Sequence, residues 1–238
     1  MDVKIFNLNC WLLPPPISVE NKKRLSKIIS LIKREDPDII TLQEVWLKKY
    51  VRKIKRELPG YFFLSLKSPL FNKSGLLFGS KFKPLSFAQE YFPFTGGHSI
   101  REKIGSKGYQ LAEVFPDIYV LNTQLYAPEK KSEMKITVSE LMEIQKVALG
   151  KKVILSGDLN LEEKIFFKVN TSFDYNSLGK FTVAIKNKYT GKMFNKFHEH
   201  DKTIDYIIKT ENAPVLRVDI VNPVEVSDHY AMIGKFKI

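Results

Sequence analysis

The chain has one cysteine, Cys10, in 238 residues. No internal disulfide can form, and no cysteine-based zinc site can be built. A reducing compartment is the matching expectation. No apolar run approaches the roughly 20 residues of a membrane-spanning helix. There is no internal repeat and no low-complexity linker, and the length of 238 residues admits one large domain or two small ones, with residues 1–238 taken as a single domain once the order of the motifs below is considered. The first residues carry no basic, apolar and small-residue leader. Cytoplasmic placement is therefore expected, with secretion after leader removal as the alternative. Nothing signals an oligomer, and the chain is read as a monomer. Acidic residues are in short supply: 26 Asp and Glu face 38 Lys and Arg, a net charge of +12. That balance favours anionic partners, namely nucleic acid, an acidic membrane face or phosphorylated substrates. A lysine-rich proteome would produce the same excess.

The organising stretch is Ser156-Gly157-Asp158-Leu159-Asn160. It follows Val153-Ile154-Leu155, a short β-branched apolar run that reads as a buried strand. Asp158 and Asn160 sit at i and i+2, on one side of an extended chain. The acid could act as metal ligand or base, and the amide could orient water or phosphate. Taken alone, the stretch better fits a strand end, an Asx-type turn and a helix cap.

Residues 3–9 alternate as a strand ending at Asn9. Pro14-Pro15-Pro16 forces an extended loop, and Ser18 is placed to cap the helix that follows. Leu25, Ile28, Ile29 and Ile32 make one apolar helical face, which Pro37 stops. Residues 38–42 form the next strand and run into Gln43-Glu44. A second helix carries Val51, Ile54 and Leu58. Further strands are read at 61–64, 75–78, 109–114, 118–122, 203–208, 215–221 and 231–236, with a helix over 132–149. Strands and helices alternate early, but many later strands have no helix between them. This indicates a mixed-sheet α/β sandwich.

Several strands end in polar groups, Asn9, Glu44 and Asp158 with Asn160; a late one holds Asp205, and Asp228-His229 precedes the last strand. Such oxygen-rich sets suit Mg²⁺, Mn²⁺ or Ca²⁺. Asp205 lies inside an apolar run and needs a cationic or N–H partner. His229 is the natural candidate, since a carboxylate holding an imidazole fixes its tautomer and raises its basicity.

The pieces Ile5-Phe6-Asn7-Leu8-Asn9-Cys10-Trp11, Leu42-Gln43-Glu44-Val45-Trp46, Ser156-Gly157-Asp158-Leu159-Asn160, Ile204-Asp205-Tyr206 and Ser227-Asp228-His229 occur in the order of a known family. The chain resembles the endonuclease/exonuclease/phosphatase superfamily, the deoxyribonuclease I-like fold. Its first two pieces are most similar to neutral sphingomyelinases, as are residues 74–81 and Lys107-Gly108-Tyr109. The resemblance implies a four-layer α/β sandwich, two packed mixed sheets flanked by helices. It implies a Mg²⁺-dependent phosphodiesterase, with Mn²⁺ or Ca²⁺ as possible replacements. Glu44 would be the main metal ligand, helped by Asn9 and Asp228. Asp158 and Asn160 would position and activate the attacking water. His229, held by Asp205, would serve as general base or as phosphate-oxygen stabiliser.

One position departs from the pattern. Sphingomyelinases and deoxyribonuclease I carry a second histidine after the middle strand, and here that place falls to Gln124. Glutamine donates a hydrogen bond but cannot protonate a leaving group. Either solvent polarised by the cation does that work, or Tyr126 stands in. The other histidines, His98, His198 and His200, are read as bystanders.

Two surfaces bear on the substrate. Residues 87–94, with Phe71 and Phe82, hold aromatics that would suit a membrane interface, although most are expected in the core. Residues 175–197 carry Lys180, Lys186, Lys188, Lys192 and Lys196 with no acid. That strip could track a phosphate backbone or lie on anionic lipid. The substrate is expected to be a phospholipid headgroup, with DNA or RNA as the alternative. A catalytically inactive binding module is the third reading.

Overall fold

The computed structural model describes residues 1–14, 17–65, 71–94, 105–183, 201–221 and 226–238. His98, His198, His200, part of the proline run and most of the basic strip fall outside these residues. The elements in order are β1 Asp2–Asn9, α1 Asn21–Glu35, β2 Ile39–Gln43, α2 Lys48–Glu57, β3 Phe62–Leu64, β4 Leu77–Ser80, β5 Ser86–Tyr91, β6 Gly108–Phe115 and β7 Ile118–Gln124. They continue with α3 Met134–Ala148, β8 Lys152–Asp158, α4 Glu163–Val169, β9 Phe173–Asp174, β10 Asp205–Thr210, β11 Leu216–Ile220 and β12 Met232–Lys237. None of the described helices is long and apolar enough to cross a membrane.

Twelve described strands form two six-stranded sheets. The first runs β11-β12-β1-β2-β4-β3 and the second β5-β6-β7-β8-β10-β9. Each sheet has one parallel pair, β1 with β2 and β7 with β8, among antiparallel neighbours. Each parallel pair is joined through a helix, α1 or α3, as a parallel connection requires.

Strand alternation sorts side chains into layers. Phe6, Leu8, Ile40 and Leu42 face outward from the first sheet and pack on Leu25, Ile28 and Ile32 of α1 and on Val51 and Ile54 of α2. Leu121, Val153 and Leu155 face outward from the second sheet toward Leu141 and Ile144 of α3 and Phe166 of α4. Val3, Ile5, Ile39, Val120, Ile154 and Ile207 fill the space between the sheets. This is the four-layer α/β sandwich.

Ser18 does not cap α1. The residue before the helix is Glu20, in the left-handed region at φ 52°, with no side-chain cap bond. Ser18 Oγ instead lies 2.7 Å from the Trp11 carbonyl oxygen and 2.6 Å from Asn21 Oδ1, inside a buried turn. Of the aromatics read as core, Phe92 is buried and Phe82 packs on Phe115, but Phe71 and Phe94 are exposed.

Cys10 is fully buried beneath α1, and that burial raises the thiol far above its usual range. A protonated, inaccessible thiol is unreactive. The native protein is expected to give no titratable thiol with a disulfide reagent at neutral pH, and one after denaturation. Rapid labelling of the native protein would contradict the packing around β1.

Candidate active site

The site lies where β1, β2, β7 and β8 end. In an α/β sheet the carboxyl ends of parallel strands open onto a crevice, because loops diverge there. Register brings Asn9 beside Gln43 in the first sheet, and Gln124 beside Asp158 and Asp158 beside Asp205 in the second. Glu44 follows β2 directly and turns back across the gap between the sheets.

The chain leaves these strands in left-handed backbone: Trp11 at φ 46°, Glu44 at 57° and Asn160 at 49°. Such a conformation costs a non-glycine residue on the order of 1 kcal/mol, and it concentrates at functional sites. Gly75 packs under Glu44, where an added Cβ would come within 3.2 Å of the Glu44 Cα. Gly157 is more tightly constrained, since a Cβ there would meet the Thr123 carbonyl oxygen at 2.1 Å. That close approach seats Asp158 against β7.

Side-chain amides tie the acids together. Asn9 Nδ2 donates to Asp158 Oδ2 at 2.9 Å and toward Glu44 Oε1 at 3.3 Å. Gln124 Nε2 donates to Glu44 Oε1 at 2.7 Å and to Asp158 Oδ2 at 3.3 Å. Asn160 N donates to Asp158 Oδ1 at 3.0 Å, an Asx turn, and Asn160 Nδ2 donates to the Leu125 carbonyl at 2.9 Å. The turn expected of the 156–160 stretch is present: Asp158 Oδ1 closes it, while Asp158 Oδ2 accepts from Asn9 and Gln124. The helix that follows is preceded by Glu162 with no side-chain cap bond, so the stretch does not cap it.

On the other flank, His229 Nδ1 meets Asp205 Oδ2 at 2.8 Å, both groups almost wholly buried. Asp158, Asp205 and His229 bring ligand-capable atoms within 4.8 Å of one another. Burial works against an imidazolium at His229, but the attraction of Asp205, Asp228 and Asp158 overrides it and pushes the group up to about 10. Burial also lifts Asp205 to about 6, opposed by His229. Each partner thus favours the charged form of the other. Thr182 Oγ1, unforeseen from the sequence, accepts the backbone N–H groups of Ile204 and Asp205 and steadies this strand start.

Asp228 is buried beside His229. Ser227 Oγ lies 2.7 Å from the Asn9 carbonyl oxygen and 3.0 Å from Asp228 Oδ1, so the Asp228 and Asn9 segments are joined. Tyr126 is also buried, but its hydroxyl donates to Glu133 Oε2 at 3.1 Å and its backbone N–H to Glu140 Oε2 at 2.6 Å. Gln124 therefore joins the acids directly, whereas Tyr126 is engaged by carboxylates at and within the start of the 131–148 helical segment.

A divalent cation fits this donor set. Glu44 Oε2, Gln124 Oε1 and Asp205 Oδ1 are buried and have no hydrogen-bond partner. Buried carboxylate and carbonyl oxygens left unpaired are costly, and a hard cation satisfies them.

Two mixed sheets between helix layers, with acids, amides and an imidazole at the strand ends, define a deoxyribonuclease I-like protein. The chain belongs to the endonuclease/exonuclease/phosphatase family, whose model matches residues 7–229. No curated protein sequence matches it. Among solved structures it is similar to a Staphylococcus aureus beta toxin mutant with bound magnesium ions, at 17% identity and TM-score 0.80, covering 100% of both chains. It is similar to sphingomyelinase C from Streptomyces griseocarneus, at 13% identity and TM-score 0.76, covering 100% of both chains. It is also similar to D. rerio TDP2 complexed with single strand DNA product, at 17% identity and TM-score 0.75, covering 100% of this chain and 99% of that one. At these identities the likeness is one of fold.

Proposed function

We propose that the protein is a Mg²⁺-dependent phosphodiesterase that hydrolyses its substrate by in-line attack of water. The observation that carries this reading is the meeting of Glu44, Asn9, Gln124 and Asp158 from both sheets beside the Asp205–His229 pair. Glu44 would hold the cation, with Asn9 and Asp228 at its margin. When bound, the cation supplies positive charge against the non-bridging phosphate oxygens.

The chain's own groups divide the remaining work. Asp158, already an acceptor for four amide groups, orients the attacking water and draws its proton. Asn160 fixes that carboxylate through the turn. His229 as imidazolium donates to a phosphate oxygen; with its proton lost it serves as base. Asp205 holds the ring in either state. General acid–base help of this kind contributes roughly 10²–10⁴ in rate. Gln124 has no acidic proton to give, so a bound cation would supply charge for the departing group; Tyr126, whose hydroxyl donates to Glu133 Oε2, would have to leave that bond to take part.

A phospholipid headgroup is the favoured substrate, on the motif resemblance of residues 5–11, 42–46, 74–81 and 107–109 to neutral sphingomyelinases. A nucleic-acid substrate is the second reading. It is favoured by Gln124 in the place of the second histidine and by the charge of +12. Action as a cytoplasmic monomer belongs to the same proposal. A side-by-side assay with Mg²⁺ on sphingomyelin vesicles, supercoiled plasmid and an abasic-site duplex separates the two. Release of phosphocholine is the expected result. Cleavage of plasmid or duplex alone removes the lipid reading, and hydrolysis of none supports a binding module.

A further inference from the structure

The space between the sheets changes character toward the site. At its far end it is apolar, with Ile5, Ile39, Val120 and Ile154. One pleat repeat below the site it is made of amides and hydroxyls. Asn7, Thr41 and Gln43 come from the first sheet, and Asn122 and Ser156 from the second, all at 0% exposure. Gln43 Nε2 donates to Asn7 Oδ1 at 2.9 Å and, across the gap, to Asn122 Oδ1 at 2.8 Å. Thr41 Oγ1 lies 2.7 Å from Ser156 Oγ, a second crossing. Asn122 Nδ2 passes the chain on to Gln110 Oε1 at 2.9 Å.

A polar layer in a sheet-on-sheet core is expensive, because apolar residues of like volume would pack there without desolvating amides. What it supplies is direction. Backbone ladders set register within a sheet, whereas between the sheets the described backbone bonds are isolated ones, such as Ser74 N to the Gly105 carbonyl and Tyr230 N to the Thr182 carbonyl. The alignment of Glu44 with Gln124 and Asp158 therefore depends largely on side chains. In the site itself the crossings are Asn9 to Asp158 and Gln124 to Glu44. Those crossings end on Glu44 Oε1 and Asp158 Oδ2, oxygens of the acids themselves, and so are exposed to any change at the acids. The layer beneath bonds to none of these acids.

We propose that Gln43 and Asn122 are positioning residues for the cation. Their amide bridge sets the spacing between Glu44 on one sheet and Gln124 with Asp158 on the other. The proposal rests on the phosphodiesterase reading. Groups that orient ligands from behind typically govern metal affinity or activity by about 10–100-fold.

The test is Mg²⁺ uptake by the purified protein, measured by titration calorimetry, beside its melting temperature and steady-state rates. Gln43→Met keeps volume and loses both amide links. Asn122→Ser is the milder change and decides the matter if Gln43→Met does not fold. Thr210→Val is the comparison, because Thr210 Oγ1 accepts the Val153 N–H at 3.0 Å at the other end of the second sheet. Gln43→Met and Asn122→Ser are expected to weaken Mg²⁺ binding about tenfold or more and to lower kcat with KM little changed. Thr210→Val is expected to lower the melting temperature with unchanged Mg²⁺ affinity. Wild-type Mg²⁺ affinity in folded Gln43→Met or Asn122→Ser overturns the inference alone, as does an equal loss in Thr210→Val. No Mg²⁺ uptake by the wild type overturns the phosphodiesterase reading, and the inference with it.

Discussion

Glu44→Ala is expected to remove Mg²⁺-dependent turnover, by about 10³-fold or more, since charge stabilisation by a metal is worth several kcal/mol and each 1.36 kcal/mol is tenfold in rate. The metal-free fold is expected to be untouched. Glu44 Oε2 has no hydrogen-bond partner, and Glu44 shares the donors Asn9 and Gln124 with Asp158. Removing it relieves repulsion between two acids and frees both amides for Asp158. The melting temperature without metal should hold or rise. Saturating Mg²⁺ should stabilise the wild type by about 2.7 kcal/mol at 100 times Kd, and the variant not at all. A thermal melt with and without Mg²⁺, beside a turnover assay, reads both effects. Wild-type turnover in Glu44→Ala would remove the mechanism.

His229→Ala should lose about 10²–10⁴ in kcat, and here stability falls too. Asp205 is 1% exposed and its Oδ1 already lacks a partner. Without the imidazolium it becomes a buried, uncompensated charge, and breaking such a pair costs about 3–5 kcal/mol. Asp205 is expected to relieve part of this by holding a proton. At roughly 2–4 °C per kcal/mol for a chain of this size, a melting temperature lower by about 10 °C is expected. Adding Asp205→Asn removes the stranded charge and should recover most of the melting temperature and none of the activity. Recovery of activity in the double variant would show that His229 acts only through packing.

The two variants differ because the two acids are held differently. Asp205 was legible from the chain alone: a carboxylate in Thr203-Ile204-Asp205-Tyr206-Ile207 has to find a partner, and His229 was the candidate that the structure places at 2.8 Å. The layers were also legible, because a period of two in the strands and of 3.6 in α1 assigns each residue a face. The Ser18 expectation was not met. A serine three residues before Asn21 fits a cap, but the turn it occupies is closed by the Trp11 carbonyl and by Arg24 Nη1 at 2.8 Å. The role of Gln124 was half legible. Its chemistry excluded proton donation, but its grip on both Glu44 and Asp158 depends on residues 80 and 34 positions away.

The sequence by itself determined most of the elements and their buried faces, though not β5, α4 or β9, together with the strand-end acids and amides and the charge that favours an anionic partner. These follow from local rules of periodicity and from the cost of burying an unpaired polar group. The tertiary structure alone decided how the sheets align, and hence that Asn7, Gln43 and Asn122 form a polar floor beneath the acids. Contacts between two sheets obey no sequence period, because side chains rather than backbone ladders make them.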